Sequence, residues 1–379
     1  MSDPETIVII GAGVIGLTTA LCIQQYLTPT QSVLLVARDF PSDTSVNYAS
    51  PWAGAHYRPV PGSSPQALRE AGQAQRTYEF MKRVAVDEPG AGVNFTQGIE
   101  HLEAPPAEYL DAQSVRNVYG HLDEFRHLES SEVPDGVKWG VQYGTYVVNS
   151  PVYCAHMLRK FVLKGGNTRQ YTLANLKESF SLALNVKTVV NCSGLGFEDP
   201  KSFIIRGIYA LFTIPKWSRF DDQDLNADIK LSSGCPGQTC LVRNPVSETI
   251  TRQNEDGTWS FCIPRPLDGG TIIGGTKEVH NWDPNPSMET RARLLANAAK
   301  WFPFTPESSG QFDVIRDIVG RRPAREGGMR IEVEEIGDGN RFVHAYGAGG
   351  RGFELSRGVA EDTAALMLEI GILREKAAL

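Results

Sequence analysis

Ile7-Val8-Ile9-Ile10-Gly11-Ala12-Gly13-Val14-Ile15-Gly16 is the stretch that sets the architecture of this chain. Four consecutive apolar residues read as a strand buried on both faces, the signature of a parallel sheet rather than an alternating antiparallel one. A G-x-G-x-x-G follows at once, and Leu17 to Tyr26 has the composition of a helix. Gly11 permits the tight turn, Gly13 lets backbone approach a pyrophosphate, and Gly16 lets helix and strand pack closely. Ala12, Val14 and Ile15 complete a loop whose amides open a helix N-terminus, where anions bind. Ser32 to Val36 reads as the second parallel strand, so the chain opens as a β-α-β unit. That strand ends Ala37-Arg38-Asp39, the place where an acidic residue usually meets a ribose hydroxyl; either Arg38 or Asp39 stands there. The motif predicts a dinucleotide and leaves FAD and NAD equally open.

The rest of the chain must supply the remaining strands. It has 379 residues, enough for about two domains. Its net charge of -7 disfavours nucleic acid, which wants a basic face. No apolar run is long enough for a transmembrane helix. The N-terminus lacks the basic start of a secretory signal. The six cysteines form no C-x-x-C pair and no zinc pattern, and are expected as reduced, buried thiols. Cys235 and Cys240 are spaced closely enough to leave a small-loop disulfide open.

Ser64 to Val84 has helical spacing, and so has Val152 to Val162, with Ser150 as N-cap and Pro151 in the first turn. Val186 to Asn191 is another buried strand, closed by Ser193-Gly194-Leu195-Gly196. Arg206 to Ile214, Gln238 to Arg243, Thr258 to Ile263 and Thr271 to Gly275 read as sheet strands, the last two joined by a turn-rich hairpin connection. Pro286 to Trp301 and Val359 to Ile370 read as helices. The expected fold is α/β: a Rossmann-type nucleotide-binding domain, with a second, mostly antiparallel β-sheet domain for the substrate. The expected division assigns 1–60, 140–200 and 310–379 to the first, and 61–139 and 201–309 to the second.

Three further segments narrow the cofactor. They are Ser50-Pro51-Trp52-Ala53-Gly54-Ala55, Asn191-Cys192-Ser193-Gly194-Leu195-Gly196, and the glycine-dense run from Val343 to Ala360, V-H-A-Y-G-A-G-G-R-G-F-E-L-S-R-G-V-A. Together they resemble the D-amino-acid oxidase family of FAD enzymes, over nearly the whole chain, with the fungal oxidases of acidic substrates the most similar branch. The resemblance implies FAD as cofactor, in the glutathione-reductase-like arrangement of that family. Besides the first glycine motif and Arg38 or Asp39, it assigns Ser50, Trp52, Ala53, Gly54, Cys192, Ser193, Gly194, Gly347, Gly349, Gly350, Gly352, Phe353 and Glu354 to the cofactor. It implies oxidative deamination of a D-amino acid with dioxygen as the electron acceptor, giving the 2-oxo acid, ammonia and hydrogen peroxide.

Residue by residue, Val319-Gly320-Arg321-Arg322-Pro323 matches the family's arginine motif. Arg322 then becomes the catalytic, carboxylate-gripping residue, a role that suits a planar guanidinium. Gly350 lies in the signature beside the same site. The family's tyrosine before I-P is Phe261 here, so a hydroxyl must come from elsewhere, with Tyr57 and Tyr209 as substitutes. Lys277 after Gly-Gly-Thr, Arg351 within the glycine signature and His56 after the flavin loop would together favour a second carboxylate, hence D-aspartate, with D-glutamate as an alternative. Other readings stay open: an oxidase of neutral or bulky D-amino acids, a glycine- or sarcosine-oxidase-like flavoenzyme, and an NAD-dependent or redox-inactive Rossmann protein. The family implies a peroxisomal address, although Ala-Ala-Leu is not the standard signal and a cytoplasmic location is the alternative. A homo-oligomer is compatible with all of this.

Overall fold

A computed structural model describes residues 4–206, 238–276, 278–279, 283–302, 304 and 311–375. Strand Glu5–Ile10 runs parallel to Gln31–Ala37 on one side and to Val186–Asn191 on the other. Ile7, Val8 and Ile9 are completely buried, as a strand covered on both faces requires. Among the described residues, six strands form this sheet. Across it the order is Arg330–Gly337, Asn340–Tyr346, Val186–Asn191, Glu5–Ile10, Gln31–Ala37 and Asn167–Gln170. All its pairings are parallel except the hairpin Arg330–Gly337 with Asn340–Tyr346.

Helix Val14–Ile23 is buried nearly all round, because it is wedged between the sheet, helix Ser150–Leu163 and helix Gly352–Glu369. The last of these starts at Gly352, not at the expected Val359. Glycine lowers helix propensity, so the signature looked like a loop. Packing overrides propensity here: a Cβ at Gly358 would lie 2.4 Å from backbone atoms of Gln73. The missing side chain lets this helix meet helix Pro65–Asp87 backbone to backbone. The latter is capped by Ser64, whose side chain accepts from Ala67 N–H at 3.1 Å. The N-cap position of helix Ser150–Leu163 is Asn149 rather than Ser150, and its side chain makes no capping hydrogen bond. Ser150 is spent elsewhere, its hydroxyl donating to the Ala53 carbonyl at 2.6 Å.

The second sheet has eight described strands. Their order is Val314–Val319, Gln238–Val242, Thr271–Gly274, Trp259–Pro264, Thr249–Gln253, Val93–Leu102, Trp139–Val148 and Arg126–His127. It is antiparallel apart from the pair Thr249–Gln253 with Val93–Leu102. Trp139–Val148 and Val314–Val319 therefore belong to the second sheet, so the expected boundaries at 140 and 310 do not follow sheet membership. Apolar alternation locates a strand but carries no record of its partner. A small third sheet joins Glu278–Val279, Ser202–Arg206 and Arg321–Arg325. Ser202–Arg206 ends where the expected strand from Arg206 begins, and the remainder of that expectation lies outside the described residues. So do Tyr209, Cys235 and Lys277. The described cysteines are all buried thiols. No helix among the described residues is long and apolar enough to cross a membrane.

Candidate active site

One long cleft collects the ends of both main sheets, with about 1930 Å3 of empty space including its open mouth. Its lining runs from Arg38 and Asp39 at one end to Phe261 and Arg322 at the other, which suits a dinucleotide with a substrate beside it. Its first half lies where the parallel strands end: Ile10, Ala37, Cys192 and Tyr346 all line it. Ligands of open α/β sheets bind at this edge.

Gly11, Ala12, Gly13, Val14 and Ile15 line the cleft. Gly11 has φ of +104°, and a Cβ there would sit 2.4 Å from the Cys192 carbonyl oxygen. Gly16 stands back from the cleft; a Cβ there would lie 1.9 Å from the Gly11 oxygen, so its role is helix–strand packing. The loop is held from outside. Tyr48 Oη donates to the Ala12 carbonyl at 2.7 Å, and the Val14 N–H donates to Ser50 Oγ at 2.9 Å. Sequence reading missed Tyr48, because one tyrosine in a loop carries no local signal. Ser50, Trp52, Ala53 and Gly54 form the adjoining wall. Trp52 Nε1 donates to the Ser45 carbonyl, and buried Arg265 donates to the Ala53 carbonyl at 2.8 Å, beside Ser150.

Arg38 and Asp39 both line the outer end, with Tyr171, Thr172 and Leu173. Asp39 is the more sheltered, and Arg38 Nε donates to it at 2.8 Å. Opposite them, Cys192, Ser193 and Gly194 face the cleft. Gly347 N–H donates to the Gly194 carbonyl and Gly349 N–H to that of Pro323, which stitches the glycine signature to its neighbours. Gly347, Gly349, Gly350, Gly352, Phe353 and Glu354 complete this wall. Burial pushes the Cys192 thiol up to about 12, so a thiol and not a thiolate faces the site. The cradle thus fits FAD: glycines where a Cβ would collide, a helix N-terminus whose N-cap residue is the side-chain-free Gly13, and a sheltered acid at the ribose end.

The inner end is formed by Thr239, Phe261, Ile263 and Ile318 of the second sheet, with His56, Arg58 and Arg322. Arg322 lies on the strand Arg321–Arg325 and is 8% exposed. Phe261 is buried and takes the expected place at the cleft. Tyr57 does not supply the missing hydroxyl: it is buried behind the wall, 3.4 Å from His121 Nε2. Thr239 is better placed. It lines the cleft, and its buried Oγ1 has no hydrogen-bond partner among the described residues.

Of the residues expected to meet the substrate's second carboxylate, Arg351 is corrected and His56 keeps its place at the cleft. Arg351 does not line the cleft. Its guanidinium grips Glu354 through Nε at 3.0 Å and Nη2 at 2.7 Å, and reaches Glu70 through Nη1 at 2.7 Å. A buried arginine between two carboxylates is committed to them. His56 does line the cleft, but as a neutral ring. Burial and then the Arg58 charge push its pKa down to about 3. The bonding pattern fixes its tautomer. Thr249 Oγ1 donates to the Cys262 carbonyl at 3.1 Å, so it must accept from His56 Nδ1–H at 2.9 Å. His56 Nε2 is then a lone-pair acceptor.

Comparison with known proteins agrees with this geometry. The sequence profile described as FAD dependent oxidoreductase matches residues 6–366. A D-aspartate oxidase of Talaromyces thermophilus is 44% identical, over 96% of this chain and 95% of that one. A D-amino-acid oxidase of Schizosaccharomyces pombe is 30% identical, over 97% of each. Among solved structures, glycine oxidase from Geobacillus kaustophilus superposes with a TM-score of 0.65 at 17% identity, covering 99% of this chain and 96% of its own.

Proposed function

This chain belongs to the D-amino-acid oxidase family of FAD-dependent oxidoreductases, and we propose that it oxidatively deaminates acidic D-amino acids, D-aspartate first. The observation that carries the reading is one continuous cleft with a dinucleotide cradle at one end and two buried arginines, Arg58 and Arg322, at the other. The 44% identity to a D-aspartate oxidase over nearly the full chain supports the same substrate class.

Bound FAD supplies the hydride acceptor and the route of electrons to dioxygen. The protein's own residues bind, orient and exclude water. The Gly11–Ile15 loop would hold the pyrophosphate on the helix N-terminus, Asp39 the ribose, and the Ser50–Gly54 and Gly347–Glu354 walls the remainder. Arg322 would grip the substrate α-carboxylate in bidentate fashion, with the Thr239 hydroxyl in place of the phenol that Phe261 lacks. Phe261, Ile263 and Ile318 keep water from the reacting carbon. No side-chain base is required when the amine enters neutral, because the leaving hydrogen departs as hydride. The strands that carry Thr239 and Phe261 belong to the second sheet, which thereby serves as the substrate domain and the first sheet as the cofactor domain. Dioxygen is the co-substrate, and the peroxide produced suits a peroxisomal location.

The test is peroxide release by FAD-loaded protein with D-Asp, D-Glu, D-Ala and L-Asp at equal concentration. Preference for D-Asp or D-Glu with silence on L-Asp is expected. Preference for D-Ala would make the enzyme an oxidase of neutral D-amino acids.

A further inference from the structure

We infer that Arg58 is the residue that reads the substrate's side-chain carboxylate, held in place for that task by the buried acid Glu100. The inference deepens the acidic-substrate reading and rests on it. A dicarboxylate needs two cationic contacts. Away from the ribose end, the arginines that line the cleft among the described residues are Arg322 and Arg58. His56 beside them is neutral. Glu354, the carboxylate on the cleft wall, is held by the two-pronged grip of Arg351, which also reaches Glu70. The inner cleft thus presents two guanidinium groups, Arg58 and Arg322, although the chain is acidic overall.

Arg58 is unusually well anchored for a cleft residue. It is 3% exposed. Its Nη1 donates to Glu100 Oε2 at 2.9 Å and to Tyr109 Oη at 3.2 Å. Its guanidinium carbon lies 5.0 Å from the Trp259 ring centroid. Glu100 is itself fully buried, and its other oxygen accepts from Tyr119 Oη at 2.7 Å and Tyr143 Oη at 2.8 Å. Two phenols and one guanidinium thus spread the Glu100 charge over several donors. Arg58 is oriented through Nη1 and through its ring contact, and a guanidinium's planar fork of donors matches carboxylate geometry. Preorganisation of this kind lowers the ordering cost of binding, as a flexible surface lysine would not.

The experiment compares wild type with Arg58→Lys and with the double variant Arg58→Gln/Glu100→Gln. The double variant removes both buried charges together and so avoids stranding Glu100. Two readouts are taken. One is the ratio of kcat/KM for D-Asp to that for its neutral isostere D-Asn. The other is calorimetric binding of succinate against butyrate, a dicarboxylate and a monocarboxylate of equal length. Loss of a charge-assisted contact should lower the ratio by about 10- to 100-fold, carried mainly by KM, and abolish the preference for succinate. Flavin absorbance after purification shows that each variant folds. An unchanged ratio and unchanged succinate preference in folded variants would overturn the inference, because a merely structural role would weaken both ligands alike. A wild type that does not prefer D-Asp over D-Asn would instead overturn the reading on which the inference stands.

Discussion

Ser50 Oγ accepts the Val14 N–H at 2.9 Å, across 36 residues of chain. The donor is the first amide of the helix that faces the cleft, and the acceptor begins the opposite wall. The hydroxyl proton of Ser50 remains to be given to a ligand, so one side chain ties the loop and presents a donor. Ser50→Ala should weaken FAD binding by roughly 5- to 15-fold, the worth of about one hydrogen bond. Tyr48→Phe, which frees the Ala12 carbonyl, should act in the same direction. Reconstitution of the apoprotein with FAD, followed by flavin fluorescence, measures both.

Replacing Arg322 by Lys keeps a charge and removes the fork. We expect kcat/KM to fall about 100-fold for D-Asp and D-Ala alike, since the α-carboxylate is common to both. Steady-state peroxide assays decide it, and a loss confined to D-Asp would move Arg322 to the side chain.

Thr239→Val is nearly isosteric and removes only the hydroxyl. The Oγ1 has no partner among the described residues, so stability should change little while KM for D-amino acids rises several-fold. Thermal unfolding and steady-state kinetics on one preparation separate the two effects. Lost stability with unchanged KM would make Thr239 a packing residue.

Arg351→Gln should leave buried Glu354 and half-buried Glu70 without their cation. A broken buried pair costs about 3–5 kcal/mol, so denaturant unfolding should show a large loss. The ratio of D-Asp to D-Ala turnover in the surviving protein should stay at the wild-type value. A collapsed ratio would return Arg351 to the substrate.

His56 and His101 carry a pH prediction. Burial, with Arg58 and Arg252 nearby, pushes their pKa values down to about 3 and about 4. The unfolded chain takes up these protons near pH 6.5, before the folded one does. Stability from the neutral rings is therefore full above about pH 6.5 and is lost as pH falls toward 3. His56→Gln should flatten part of that decline in urea unfolding between pH 7 and pH 4. An equally steep decline in the variant would place the proton uptake elsewhere.

The opening strand, its glycine turn and the parallel class were legible because each depends on local chemistry. Ile7 to Ile10 are apolar at every position, and no neighbour is needed to say that both faces are buried. The glycine-lined walls of the cleft were legible for the same reason: glycines are placed where backbone must come close, and that pattern survives in one dimension. Cations are different. An arginine is the same letter whether it faces a substrate or a glutamate, and only Glu70 and Glu354 decided that Arg351 is committed to them. A histidine's charge depends on burial and on the hydroxyl it meets, so Thr249 and Arg58 settled that His56 is neutral. Arg58 stood two residues beyond His56 and passed unnoticed, because its surroundings are Glu100 and Tyr143 from two strands of the second sheet and Tyr119 from a helix. Local composition dictates elements and close approaches. Long-range pairing, which no single segment encodes, dictates which charge faces the cleft.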